Sequence, residues 1–172
     1  MLPQPGPFVR ILAASLLAAA CASDPVGTRL PGGASGAVIG PAGGAVGLEG
    51  QAELVIPPGA LHDPLLVTIE PGEPPAAFVA AGGFGPAYRV TPPDTVLAGA
   101  AEIALFLPGA AQSDGPLGDF VLLTTSHPRS LGPQAVIVLP LYRLDPVPGG
   151  LLLTARTLHL GPFQAARTPN SF

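Results

Sequence analysis

The residues most able to do chemistry are spread too thinly along this chain to predict a shared site. The three histidines, His62, His127 and His159, lie 65 and 32 residues apart, whereas metal-binding pairs are usually separated by about two to five residues. Cys21 is the one cysteine, so no second thiolate is present to share a metal with it. We therefore expect no metal site.

The sequence supports hydrolytic or phosphate-binding chemistry no better than it supports a metal site. The nucleophile motif Gly-x-Ser-x-Gly is absent, and Ser126-His127 stands in a Pro-containing segment, TTSHPRS, typical of a turn. The acidic residues are mostly isolated, unlike the paired carboxylates of glycosidases or the closely spaced ligands of calcium loops. The glycine-rich stretches 40–44 and 82–86 lack the Lys-Ser/Thr pair of a phosphate-binding loop. We predict a protein with no catalytic residues and no cofactor.

The composition predicts a folded, acidic domain. The chain has 172 residues and a net charge of −4, with no Lys and a hydrophobic content of 48%. That content is enough to bury a core, although Gly and Pro supply 23 and 24 residues. A nucleic-acid partner is excluded, because displacing counterions from phosphates needs clustered basic side chains.

The first twenty residues predict an export signal. Residues 11–20, ILAASLLAAA, form an almost wholly apolar run after Arg10, too short to span the roughly 30 Å of a bilayer core. The run ends in small residues before Cys21 and resembles a bacterial lipobox, although Leu17 stands four residues before the cysteine and the motif usually has Leu three before it. The resemblance implies that Cys21 is lipidated, as by palmitate, and anchors the chain to a membrane; the alternative is a cleaved, unlipidated export signal.

The predicted cellular location is the bacterial cell envelope. Ala22 follows the cysteine, and among such lipoproteins a residue other than Asp at this place favours the outer membrane over the inner one. A secreted or periplasmic protein is the alternative. Residues 21–35 are rich in Gly and Pro and predict a flexible tether, residues 36–166 a single domain, and residues 167–172 a C-terminal tail.

Strand patterns recur through the domain, and beyond residue 30 no helical pattern persists for three turns. The spacing of strand centres is typical of an all-β, antiparallel β-sandwich. The predicted strands are 53–56, 65–70, 87–91, 102–107, 119–125, 135–144, 151–156 and 157–165.

Alternation predicts which side chains face the core. Residues 65, 67 and 69 share one face, as do residues 103, 105 and 107. Residues 135–139 are apolar on both faces, which indicates a central strand or a covered outer face. Pro140 predicts an edge or a bulge in the second half of that strand. Pro148-Gly149-Gly150 predicts a hairpin that pairs 136–144 with 151–156.

Two motifs resemble the ZU5 family. Residues 38–46, VIGPAGGAV, match its Gly-Gly-small-Val segment, and residues 54–61, LVIPPGAL, match its strand ending in Ile-Pro-Pro-Gly-Ala-Leu. Residues 92–97 match a later extended segment loosely. The resemblance covers about residues 36–110 and continues more weakly to 165. It implies a ZU5-like β-sandwich that binds proteins.

The chain departs from the family at its last strand. Some ZU5 proteins cleave themselves at a His-Phe-Ser sequence, in which Ser is the nucleophile. The matching residues here are His159-Leu160-Gly161. Because Gly161 has no side chain to attack with, we expect no self-cleavage, and we expect His159 to be a half-buried structural residue.

Taken together, these features predict a membrane-anchored, extracytoplasmic lipoprotein with a non-enzymatic protein-interaction domain. Its expected partners are the membrane, through the acyl anchor, and an envelope protein that the sequence does not identify. The alternatives are a structural or spacer component of the envelope and a small exported hydrolase.

Overall fold

The structure, a computed structural model, describes residues 28–29, 33–110, 119–126 and 135–168. They form eleven β-strands and one short helix, α1 (Ala76–Ala80). The strands are β1 (Thr28–Arg29), β2 (Ser35–Ile39), β3 (Gly44–Leu48), β4 (Ala52–Ile56), β5 (Leu65–Gly72), β6 (Gly83–Thr91), β7 (Val96–Pro108), β8 (Phe120–Ser126), β9 (Ala135–Val147), β10 (Gly150–His159) and β11 (Pro162–Arg167).

Every strand pair is antiparallel, in the order β1-β2-β5-β6-β11-β8-β9-β10-β7-β4-β3. Strands β2 and β3 stand near opposite ends of this order, yet a two-residue turn joins them and Gly40 bridges to Gly43. The sheet therefore curls until its ends meet, and it is nearly closed around the core. The predicted all-β, antiparallel fold is confirmed.

The curled sheet has two layers, one formed by β1, β2, β5, β6, β11 and β8 and the other by β10, β7, β4 and β3. Strand β9 joins these two layers. Its first half pairs with β8 as far as Pro140, opposite Val121, and its second half pairs with β10. Pro140 has no N–H to donate, so the change of partner falls where a ladder hydrogen bond is lost. A register shift follows, where Thr154 lies opposite Arg143 and the next residue of β10 lies opposite Leu141. The hairpin predicted at residues 148–150 is present, but residues 141–147 form its first arm instead of 136–144, because residues 135–140 pair with β8.

The core lies between the layers and follows the predicted alternation. Val67 and Ile69 on β5, and Ile103 and Leu105 on β7, are almost fully buried. Fully burying such a side chain contributes about 1.5–3 kcal/mol. Each of the two strands therefore commits one face to the core and presents the other to solvent.

A second, smaller cluster covers part of the outside. Phe78 of α1 is fully buried with Val121, Leu123 and Ala166, and Val136 packs against them. This cluster covers part of the outer face of β8 and β11 and reaches β9 at Val136. Val138, on the same face of β9, is 53% exposed, so the outer face of residues 135–139 is covered only in part.

The structure moves several predicted boundaries: β6 and β7 begin at Gly83 and Val96, before the predicted 87 and 102, and β9 extends to Val147, beyond the predicted 144. The last two predicted strands also divide at a different residue. Residues 151–156 and 157–165 were expected as two strands meeting at residue 157, but β10 runs on to His159 and β11 begins at Pro162. The break falls at Leu160, whose N–H donates to the Thr95 carbonyl (3.0 Å) and whose carbonyl accepts from Asp94 N–H (3.0 Å). These bonds to the β6–β7 connection replace the ladder there.

The N-terminal regions are only partly described. The predicted signal peptide, residues 1–20, lies outside the described residues. Within the predicted tether, 21–35, Thr28 and Arg29 pair with Gly36 and Ser35 of β2. Within the described part of the chain, no helix has the length and apolar character needed to cross a membrane.

Candidate functional site

The structure does not bring together the cysteine and histidine residues that the sequence offered as candidates for chemistry. Cys21 and His127 lie outside the described residues. His62 is exposed after β4, and His159 is half-buried at the end of β10. Within the described ranges, no three His, Cys, Asp or Glu side chains are grouped so that they could hold a metal ion.

The two ZU5-like motifs contact each other. Gly59 N–H donates to the Pro41 carbonyl (2.8 Å), which ties the turn between β2 and β3 to the segment after β4. A Cβ on Gly43 would stand 2.6 Å from the Ile56 carbonyl oxygen. These segments therefore form the seam at which the sheet closes.

The segment that matches the self-cleavage sequence is held by its backbone. Thr157 Oγ1 donates to the His159 carbonyl (2.8 Å) and accepts from His159 N–H (3.1 Å). Gly161 is buried, and its carbonyl accepts from Val90 N–H (2.9 Å). A cavity of about 380 Å³ opens beside His159, between β10 and the β8–β9 pair, and its lining includes Thr124, Ile137, Leu139, Arg156 and Thr157.

The larger concavity, which we call the outer groove, lies on the outer face of β3, β4, β7 and β10 at the end of the molecule that carries Ser35. Its volume is about 720 Å³. Residues that line it include Gly47, Glu49, Glu53, Ala104, Phe106 and Leu152.

Strand register explains why a groove forms there. Gly47 lies opposite Glu53, Glu53 opposite Ala104, Ala104 opposite Thr154, and Thr154 opposite Arg143, so these five residues form one row across five strands. Paired residues in a sheet share a face. Because Gly47 has no side chain and Ala104 has only a methyl group, the outer surface of the sheet is lower along this row at β3 and β7 than at its other strands.

The next row of paired residues carries larger, apolar side chains. Phe106 lies opposite Leu152, and Leu152 lies opposite Asp145. Phe106 N–H donates to the Gln51 carbonyl (2.8 Å), which places the β3–β4 turn beside it. Phe106 and Leu152 are half-buried and supply apolar surface to the outer groove.

Two ion pairs lie on the outer face beyond the outer groove. Arg156 Nη2 lies 3.6 Å from Glu102 Oε1, and Arg143 Nε lies 2.7 Å from Asp145 Oδ2. The Arg156 guanidinium also stacks over the Tyr142 ring at 4.8 Å. A hydrogen bond to the Glu102 carboxylate raises the pKa of the Tyr142 phenol above its ordinary value. This exposed network orients side chains but adds little stability.

Charges at the outer groove are not paired. Glu49 and Glu53 are exposed, and neither has an ion-pair partner among the described residues. The outer groove therefore combines apolar surface with two carboxylates whose charge is uncompensated.

Thr154 gives a test of the packing beside the outer groove. It is 2% exposed, and its Oγ1 is buried with no hydrogen-bond partner among the described residues. Thr154→Val keeps the shape and removes an unsatisfied hydroxyl, so we expect the free energy of unfolding to rise by about 1 kcal/mol, measured by urea denaturation.

Thr157 is the matched control for that substitution. It lies on the same strand, is equally buried, and its Oγ1 makes the two hydrogen bonds to the His159 backbone. Thr157→Val is expected to lower the free energy of unfolding by about 1 kcal/mol. Equal effects of the two substitutions would contradict this assignment.

Comparison with known proteins supplies no further assignment. No protein-family model matches the chain, and no curated protein matches it. The resemblance to ZU5 thus rests on the two motifs and stays a prediction. Sequence patterns did not indicate the outer groove, because its low row joins residues from five different strands.

Proposed function

We propose that this chain is an acyl-anchored, extracytoplasmic protein whose β-domain binds another envelope protein and catalyses no reaction. The observation that carries the proposal is the outer groove, which borders β3, the last strand in the sheet order of the described residues, and is lined by Phe106, Leu152, Glu49 and Glu53. Concave apolar surfaces with a few polar groups are typical of binding sites. The resemblance to ZU5 supports the same function.

The position of the anchor favours a partner that is itself held at the membrane. Six residues lie between Cys21 and Thr28, and the seven Cα–Cα steps that join these two residues span at most roughly 25 Å. Thr28 lies opposite Gly36, and neighbouring Ser35 lines the outer groove. Lipidation at Cys21 would therefore keep this end of the domain close to the bilayer.

Substitution of the anchor cysteine tests the membrane part of the proposal. Cys21→Ser is expected to move the protein from the membrane fraction to the soluble fraction and to abolish labelling by a palmitate analogue. Multiple acyl chains hold a protein on a bilayer stably, because each buried CH₂ contributes about 0.8 kcal/mol. Fractionation with labelling measures both effects.

Ser23→Ala is the control, because it changes a neighbouring hydroxyl and leaves the cysteine in place. It should remain labelled and membrane-bound. Absence of label on the unaltered protein would refute lipidation and favour plain secretion. Absence of any stoichiometric partner, with lipidation intact, would favour the spacer alternative.

A further inference from the structure

We propose that the domain rests on a zwitterionic lipid surface with the end that carries the exposed side chains of Val38 and Leu66, which we call the Val38 end. The inference rests on the proposed function, because lipidation of Cys21 brings the domain to the bilayer, and it adds the orientation of the domain there. Three observations carry it: the direction of β1, a pair of neighbouring exposed aliphatic side chains, and the order of polar residues along the strands.

The Val38 end is formed by the connections at residues 40–43, 57–64, 92–95 and 160–161. Backbone hydrogen bonds of 2.8–3.0 Å join the β2–β3 turn to the segment after β4, that segment to the start of β7, and the β6–β7 connection to the break between β10 and β11. These connections therefore form one continuous surface.

The direction of β1 points the connection to Cys21 towards this surface. Thr28 lies opposite Gly36 and Arg29 opposite Ser35, so the chain before Thr28 heads from Gly36 towards the Val38 end. Strand β2 runs only three residues beyond Gly36, about 10 Å, and the chain from Thr28 back to Cys21 is long enough to pass it. The outer groove at Ser35 is then one short strand away and stays close to the bilayer.

Val38 and Leu66 form an apolar pair on the outside of the sheet. They lie opposite each other on β2 and β5 and are 72% and 57% exposed. At the same end of the other layer, Val96 at the start of β7 and Leu158 near the end of β10 are exposed as well. Covering such side chains at the boundary between headgroups and acyl chains is favourable.

Polarity increases along the outer face with distance from the Val38 end. The outward residues of β5 are Leu66, Thr68 and Glu70, in that order and about 7 Å apart. The Thr68 and Thr91 hydroxyls share a hydrogen bond (2.6 Å), and Glu70 Oε1 lies 3.7 Å from Arg89 Nη1. Apolar, uncharged polar and charged side chains thus follow one another, as the environments do on leaving a bilayer.

Three further strands repeat this order. Counted from the Val38 end, the exposed aliphatic residue comes before the outward charged one: Val55 before Glu53 on β4, Val96 before Glu102 on β7, and Leu158 before Arg156 on β10. Aliphatic residues scattered singly over a surface would show no common order. The agreement between strands indicates one apolar end.

The ionisable groups at the Val38 end indicate the class of lipid. Asp63 and Asp94 lie in its connections, and His62 and His159 lie nearby, whereas none of the Arg residues that the structure describes is at this end. Anionic lipids are recognised by clustered basic side chains, so they do not fit. A zwitterionic headgroup fits, because its ammonium can approach the carboxylates, which also keep the contact shallow.

The test places a fluorescent probe on the lipidated full chain in vesicles of phosphatidylethanolamine and phosphatidylcholine. Leu66→Cys and Glu73→Cys each supply one thiol for the probe, because lipidation occupies the sulfur of Cys21. Glu73 is exposed just beyond the other end of β5. Nitroxide-labelled lipids should quench the probe at position 66 several-fold more strongly than the probe at position 73. Added anionic lipid should reduce the quenching at position 66.

A second experiment asks whether the apolar pair sets this orientation, with the probe at Val96→Cys. Val38→Thr with Leu66→Thr keeps residues that suit a strand and removes apolar surface. Quenching at position 96 should fall several-fold, while palmitate labelling and the membrane fraction stay unchanged. Val79→Thr is the control, because Val79 is similarly exposed but lies on α1, beyond the other end of β5. It should leave the quenching at position 96 as it was.

Equal quenching at positions 66 and 73, or stronger quenching at position 73, would overturn the orientation. A probe at position 66 that neither lipid nitroxide nor aqueous iodide quenches would show that protein, a partner or a second copy, covers the pair instead. Quenching at position 96 that survives the double substitution would remove the pair from the contact. A palmitate-labelled protein without lipid quenching at position 66 would overturn this inference and leave the acyl anchor standing, whereas absence of palmitate label would overturn both.

Discussion

Gly43→Ala is expected to lower the free energy of unfolding by roughly 3 kcal/mol or more. Gly43 has φ +76°, a left-handed conformation that costs an L-residue about 1–2 kcal/mol. A Cβ would also stand 2.6 Å from the Ile56 carbonyl oxygen and 2.8 Å from the Pro57 carbonyl carbon. Both neighbours are backbone atoms, so no side chain can rotate away.

Gly50→Ala separates the conformational cost from the clash. Gly50 has φ +67°, and a Cβ there would meet no atom within 4 Å. We expect this control to lose about 1–2 kcal/mol, which is the cost of the left-handed conformation alone. Urea denaturation of both variants measures the difference. Equal losses of stability would mean that the backbone at Ile56 and Pro57 shifts to accommodate the added methyl group without further cost.

The strands with clear alternation could be predicted from the sequence, and the Gly-rich ones could not. Strands β5 and β7 carry apolar residues at every second position between turn residues, so their faces were correctly assigned. Strand β3 is Gly-Ala-Val-Gly-Leu and has too little side-chain contrast to show a period. It pairs with β4 through the short turn at residues 49–51, and alternation of apolar residues along β3 does not indicate this pairing.

The outer groove could not be predicted because it depends on register. Gly47, Glu53 and Ala104 are unremarkable where they stand in the sequence, and they form a low row only once three strands align. A one-residue slip would turn each strand's side chains to the other face. The burial of alternate residues fixes that register, so the outer groove is a consequence of the core.

Helix α1 is another element that could not be predicted from the sequence, for a different reason. It has five residues, follows two prolines, and has no side-chain cap at Pro75, so its own sequence gives little reason to form a helix. Phe78 supplies the reason, because its ring is fully buried against the outer face of β8 and β11. The helix therefore depends on tertiary packing, which local sequence patterns do not contain.

Phe78→Ala should consequently cost about 3–5 kcal/mol of unfolding free energy, as expected when a fully buried aromatic ring is removed. The cavity would open against Val121 and Leu123, which β-sheet pairing holds in place, so the site has little freedom to collapse. Val79→Ala is the matched control on the same helix: Val79 is 61% exposed, and its truncation should change stability by less than about 0.5 kcal/mol. Urea denaturation measures both variants. If Phe78→Ala proved as mild as Val79→Ala, α1 would not be docked on the sheet, and Val121 and Leu123 on the outer face of β8 would need another cover.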